Sequence, residues 1–187
     1  MAIKTFTTGE VLTAADTNTY LANSGLVYVT SYTIGSGVSS FIVPNAFNST
    51  YDNYLVRMDG VTYSAANDNI SLQLRVGTTT ATANNYYYVL PYLSYGNAVG
   101  SAAGNGVGNF AIIGRALGAG DNLSIFYKVN QTFLATKTSV SSIVMGSDLG
   151  GPFAGYHSLT TSYDQIVMTT SGTMTGGKLT VFGYRKP

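Results

Sequence analysis

The chain has 187 residues, a net charge of +1 at pH 7, no cysteine, and only 9% charged residues. Such neutrality gives little drive toward nucleic acid or an anionic membrane, and the lack of thiols excludes disulfides and thiolate metal sites. With 15 Tyr and 8 Phe it is the opposite of a disordered chain, which carries high net charge and few aromatics, and its length suits one domain or one domain plus an arm.

In chain order, the first element is a short helix. Thr13 and Asp16 have the spacing of a capping box, which predicts helix over about Ala14–Ala22, stopping near Asn23-Ser24-Gly25. Two turns are marginal alone, so Val11, Leu12, Ala15 and Leu21 need a surface to pack on, either their own domain or a neighbouring subunit. They are the candidate assembly anchor. From Leu26 onward the reading is β. Strands are expected at Leu26–Ile34, Val38–Val43, Tyr54–Met58 continuing toward Tyr63, Ile70–Val76, Tyr86–Leu93, Asn109–Arg115, Leu123–Val129, Ser139–Met145, Gln165–Thr169 and Leu179–Tyr184. Ile70, Leu72, Leu74 and Val76 alternate with Ser71, Gln73 and Arg75, the period of a half-buried strand. The uncharged stretch Gly96–Gly108 reads as a long surface loop. The fold class is therefore all-β: an antiparallel, jelly-roll-like β-sandwich over 25–187, carrying a helical amino-terminal arm over 1–24.

Two strand openings resemble each other. Tyr51-Asp52 and Tyr163-Asp164 each precede an apolar strand, with Gly60 and Gly172 eight positions after the Asp. Turn chemistry predicts that both carboxylates accept backbone N–H groups and that both tyrosines are at least partly buried.

Chemistry-bearing residues are sparse. His157 is the single histidine, too few for a His-based zinc site, and no Gly-x-Ser-x-Gly elbow accompanies it. A loop or interface role is expected for it. The carboxylates sit mostly beside Gly or Asn, where turn-making is the default; Asn67-Asp68-Asn69 falls well short of the six or more oxygens of a calcium site. No catalytic residue, cofactor or metal is assigned. The binding candidate is the tyrosine cluster Tyr86, Tyr87, Tyr88, Tyr92 and Tyr95. Alternation sends Tyr86 and Tyr88 to one face and Tyr87 to the other, and exposed rings with hydroxyls suit a protein or glycan partner. The amino terminus lacks a basic region followed by an apolar run, and no apolar stretch is long enough to span a bilayer, so membrane insertion is not expected.

The leader Phe6-Thr7-Thr8-Gly9-Glu10-Val11-Leu12-Thr13-Ala14-Ala15, with Asn18 a few residues on, resembles the opening of many tailed-phage minor tail and fibre proteins. The terminal Gly176-Gly177-Lys178-Leu179-Thr180-Val181-Phe182-Gly183-Tyr184 looks like the last strand of small phage-encoded β-sandwiches. The resemblance implies a non-enzymatic virion structural protein, assembled in the host cytoplasm: a short tail fibre or tail-associated host-recognition protein. The alternative is a capsid decoration (cement) protein or head fibre. It further implies a homotrimer that contacts other virion proteins and a host-surface glycan, but no nucleic acid.

Overall fold

The computed structural model describes residues 7–11, 13–16 and 25–186. Among the described residues, the helical segment α1 (Ala14–Asp16) is followed by thirteen strands: β1 (Leu26–Thr33), β2 (Val38–Val43), β3 (Asn53–Tyr63), β4 (Asn69–Val76), β5 (Thr79–Thr80), β6 (Tyr86–Ser94), β7 (Val99–Val107), β8 (Phe110–Arg115), β9 (Asn122–Asn130), β10 (Thr138–Met145), β11 (Leu149–His157), β12 (Gln165–Thr175) and β13 (Lys178–Tyr184). Every ladder between them is antiparallel.

The strands form two layers. The wide layer runs β1-β13-β3-β9-β10-β11-β6-β7; the narrow layer runs β2-β12-β4, with β8 and β5 beside β4. Successive strands swap layers: β1, β3, β9 and β13 lie in the wide one, β2, β4, β8 and β12 in the narrow one. The arrangement β1-β13-β3-β9 over β2-β12-β4-β8 is a jelly roll. Two insertions, β6–β7 and β10–β11, continue the wide layer past the free edge of β9. The layers join at one end, where Met174 and Thr175 of β12 pair with Tyr63 and Thr62 of β3.

Alternation builds the core. Leu123, Ile125, Tyr127 and Val129 of β9 point inward, as do Tyr54, Val56 and Met58 of β3 and Ile70, Leu72 and Leu74 of β4. Val76, expected on the same face, emerges into solvent at the end of β4. Several buried polar tips bridge the layers, because a buried hydroxyl without a partner is costly. Tyr86 Oη accepts from Leu74 N at 2.9 Å and donates to Ala81 O at 2.7 Å. Ser142 Oγ donates to Ile113 O at 3.1 Å, and Tyr127 Oη donates to Met168 Sδ at 3.2 Å. Burial pushes the Tyr86 and Tyr127 phenols well above their usual range, since a phenolate could not be solvated there.

Three expectations are corrected. The helical arm over 1–24 is not supported: only Ala14–Asp16 (α1) are helical among the described residues, and 17–24 lie outside them. The reciprocal turn forms earlier. Glu10 N donates to Thr7 O at 3.0 Å and Thr7 N to Glu10 Oε2 at 3.1 Å, around Gly9 at φ 86°. The glycine-rich stretch is not a loop but strand β7, paired with β6 from Val99↔Leu93 to Val107↔Tyr86. Its small residues leave room for rings: a Cβ on Gly104 would lie 2.3 Å from the Tyr88 ring, and one on Gly100 would lie 2.5 Å from the Tyr92 ring. Strand β11, hidden in the sequence by Gly150, Gly151, Pro152 and Gly155, pairs with β10 from Gly150↔Met145 to His157↔Thr138. Pro152 lies between the two paired stretches that β11 makes with β6, level with Pro91, so two residues without N–H groups share one gap in the ladder.

The two Tyr-Asp openings diverge. Tyr163 is buried, as expected, and Asp164 Oδ1 accepts a backbone N–H, but from Gly77 just past β4 at 3.2 Å, a long-range contact between loops and not a turn of its own strand opening. Asp52 instead pairs with Lys186 Nζ at 2.8 Å, and it is its backbone carbonyl that accepts from Gln131 N. Tyr51 is half-buried, its ring lying over Gly183. The openings still meet at one place, because Thr132, next to Gln131, accepts from Tyr163 N.

Candidate functional site

The two outer faces differ sharply. The narrow layer shows solvent Ser71, Gln73 and Arg75 from β4 and Thr169 and Ser171 from β12, with Ile42 of β2, 38% exposed, opposite Val167. The wide layer shows Phe126 and Ile143, both 56% exposed, with Val89 55%, Leu93 53%, Met145 50% and Val99 87%. These residues arise where strict alternation fails. Ile125-Phe126-Tyr127, Ile143-Val144-Met145 and Tyr88-Val89-Leu90 are apolar in consecutive positions, so each strand presents apolar side chains on both faces.

The register orders this face into rows. The middle row runs across six strands: Leu55 opposite Lys128, Lys128 opposite Ser141, Ser141 opposite Ala154, Ala154 opposite Val89, and Val89 opposite Ala103. On one side stand Tyr156 and Tyr87, a register pair whose rings stack at 5.0 Å and 7°. On the other stand Pro152 opposite Ile143, and Phe126 opposite Arg57. Small residues between larger ones make a shallow trough. Its depressions are about 630 Å³ around Ala154, Val89 and Ala103, about 340 Å³ between Ile143 and Lys128, and about 560 Å³ between Phe126 and Leu55. At the 4.7–4.9 Å spacing of strands, six strands give a trough roughly 25 Å long.

Charge on this face is slight. Arg57 Nε is neutralised by Asp59 Oδ1 at 2.8 Å. Lys137 Nζ lies over the Tyr156 ring at 5.5 Å, at the rim, and Lys128 stands in the middle row.

The tyrosine cluster is divided by the fold. Tyr86 and Tyr88 belong to the core, Tyr86 edge-on to Phe110 and Tyr88 stacked on Phe153. Tyr87 lines the trough, Tyr92 is half-buried over Gly100, and Tyr95 is 66% exposed at the end of β6. Of the candidate anchor, Val11 is 79% exposed and Ala15 is exposed, whereas Leu12 and Leu21 lie outside the described residues.

His157 is neither a loop nor an interface residue. It closes β11 at 0% exposure, edge-on to Tyr86, with Nδ1 3.2 Å from Tyr163 Oη. Burial lowers its pKa from the ordinary histidine range, partly opposed by a backbone hydrogen bond with Leu159. Asp68, the central residue of Asn67-Asp68-Asn69, is occupied by Ser64 Oγ, Ala65 N and Ser171 Oγ. Among the described residues no group of three or more His, Cys, Asp or Glu side chains converges to hold a metal.

No family model matches the chain, and no curated protein matches it. Solved structures give distant similarities. CG-16, a homodimeric agglutinin from chicken liver, is 11% identical over 76% of this chain and 98% of its own, with a TM-score of 0.37. The Caenorhabditis elegans galectin LEC-6 is 13% identical over 80% and 94% respectively, also with a TM-score of 0.37. The structure of infectious bursal disease virus Gx strain is 8% identical over 85% of this chain and 34% of its own, with a TM-score of 0.17.

Proposed function

We propose that the chain is a non-catalytic structural component of a tailed-phage virion, a short tail fibre or tail-associated host-recognition protein. The leader Gly9-Glu10-Val11-Leu12-Thr13-Ala14-Ala15 gives the class its motif. The observation that carries the reading is the exposure of that leader. Residues 7–11 and 13–15 are exposed, with Val11 at 79%, rather than tucked beneath the sandwich. Apolar residues displayed ahead of a stable domain are what an anchor for a neighbouring subunit needs, and burying them would supply a few kcal/mol, on the order of 25 cal/mol per Å². In this reading the sandwich projects from the particle as part of a homotrimer, and Tyr95, 66% exposed at the end of β6, is the residue of the tyrosine cluster that would meet a host-surface glycan.

Particles assembled with the chain lacking residues 1–24 test this. The truncated chain is expected to keep the β signature in circular dichroism and to be absent from purified particles, while the full chain is present in tens of copies. A truncated chain that still incorporates refutes the anchor. Hundreds of copies of the full chain per particle would assign it to the capsid surface instead.

A further inference from the structure

We infer that the outer face of the wide layer is the contact surface between copies of this chain. The inference concerns the face alone and holds for a tail or a capsid location. Four observations carry it. The face carries six apolar side chains at least half exposed, while the opposite face of the same sandwich is mostly hydroxyl and amide, with Ile42 of β2, 38% exposed, beside Val167 of β12, so the asymmetry belongs to one surface and not to the composition as a whole. Its area is large: Phe126, Ile143, Met145, Val89, Leu93 and Val99 are each at least half exposed. At about 100 Å² apiece, with Tyr156 and the two prolines added, they reach roughly 700–800 Å², beyond the largest patch of an ordinary monomer and near what each partner buries in a standard interface. Its chemistry favours protein over sugar, because the depression around Val89, Ala103 and Ala154 is mostly carbon, and Asn105 and Ser139 are its only amide and hydroxyl besides the tyrosines, few for the convergent hydrogen bonding of a glycan site. Its electrostatics permit a like partner, since Arg57 is already neutralised by Asp59 and Lys137 sits at the rim. Lys128 remains, and its long stem lets the ammonium reach the edge of a contact while its methylenes are covered.

A sheet face bearing such a patch packs on another sheet face, the arrangement that already holds this sandwich together at about 10 Å. In a trimer, three wide layers would surround the axis and leave the narrow layers and their polar residues outermost. The hairpins β6–β7 and β10–β11, which extend the wide layer beyond the jelly roll, supply most of the patch and are on this account the assembly insertion.

The full chain tests this by sedimentation between about 1 and 100 µM. The expected result is an oligomer whose mass falls on dilution. Ile143→Asp and Val89→Asp should each raise the dissociation constant at least about 10-fold without changing the circular dichroism spectrum. Thr169→Asp on the narrow layer should leave it unchanged. Because the chain has no cysteine, single cysteines give a second readout that needs no loss of stability. Ala154→Cys should cross-link to twice the chain mass with a short bis-maleimide, and Thr169→Cys should not. A wild-type monomer at every concentration, or face variants that keep the oligomer, overturns the inference. A monomer that instead binds an immobilised glycan and loses it on Ile143→Asp also overturns it and gives the face to carbohydrate.

Discussion

Gly104→Ala tests whether the glycine-rich stretch is a packed strand. The added methyl would lie 2.3 and 2.8 Å from two atoms of the Tyr88 ring and 2.7 Å from Val107 Cγ2, against 3.5–4.0 Å for ordinary contact. The ring must therefore retreat by about 1 Å. It has little freedom to do so, being buried and stacked on Phe153 at 5.4 Å. Overpacking of this kind costs about 1–3 kcal/mol, offset by roughly 0.5–1 kcal/mol because alanine loses less backbone entropy than glycine. The net expectation is about 1–2 kcal/mol of destabilisation, a fall in Tm of roughly 2–8 °C for a chain of this size. Urea denaturation should show a lower midpoint at constant slope. Gly96→Ala is the control: the added carbon comes no closer than 3.8 Å to Ser94 Oγ, so it should be neutral or stabilise by up to about 1 kcal/mol. In the double variant Tyr88→Ala, Gly104→Ala, the second change should cost less than it does alone. If Gly104→Ala proves neutral or stabilising, the stretch behaves as an open loop and the argument from ring-over-glycine packing fails.

Three further outcomes follow from the same structure. His157 has a lowered folded-state pKa, so the unfolded chain takes up its proton first; its contribution is fully present above about pH 6.5 and is lost as pH falls through the folded value. The denaturation midpoint should drop as pH falls below about 6.5, and His157→Phe should flatten that slope; an unchanged slope assigns it elsewhere. For tyrosines the sign reverses. Burial pushes Tyr54 up to about 12 and raises Tyr63, Tyr86 and Tyr127 further, so stability is intact below about pH 10 and lost as pH rises. Absorbance titration should show these phenols ionising only as the far-ultraviolet signal collapses, and smooth titration of every tyrosine in the folded chain would contradict the packing. Asp164→Ala should cost about 1 kcal/mol, the net worth of its hydrogen bond from Gly77 N, whereas Asp52→Ala removes an ion pair 33% and 42% exposed and should cost less than about 1 kcal/mol; a larger loss for Asp52→Ala in urea would undo the distinction.

Much of this fold was legible because ten strands carry their own signal: apolar alternation or β-branched runs between Gly, Asn and Pro. Three strands were not. β7 has almost no β-forming residues, and its reason for being a strand is the pair of rings that β6 lays over Gly100 and Gly104. β11 contains Pro152 in its middle, tolerable only because Pro91 faces the same gap, and the two-residue β5 is too short to carry a period. The candidate face was readable but differently from the tyrosine cluster. Consecutive apolar residues at 125–127 and 143–145 meant strands with two apolar faces, whereas the tyrosine run mixed core rings with one trough ring. His157 looked like a loop residue because nothing local reveals that β11 carries it under Tyr86 and beside Tyr163.

The most direct measurement is an electron cryo-microscopy reconstruction, at side-chain resolution, of intact phage particles assembled with the chain present. The account predicts the jelly roll on the tail, with Val11 and Ala15 against a neighbouring virion protein and the outer face of the wide layer turned toward other copies. Particles without this density, while the protein is abundant in the infected cell, would contradict it.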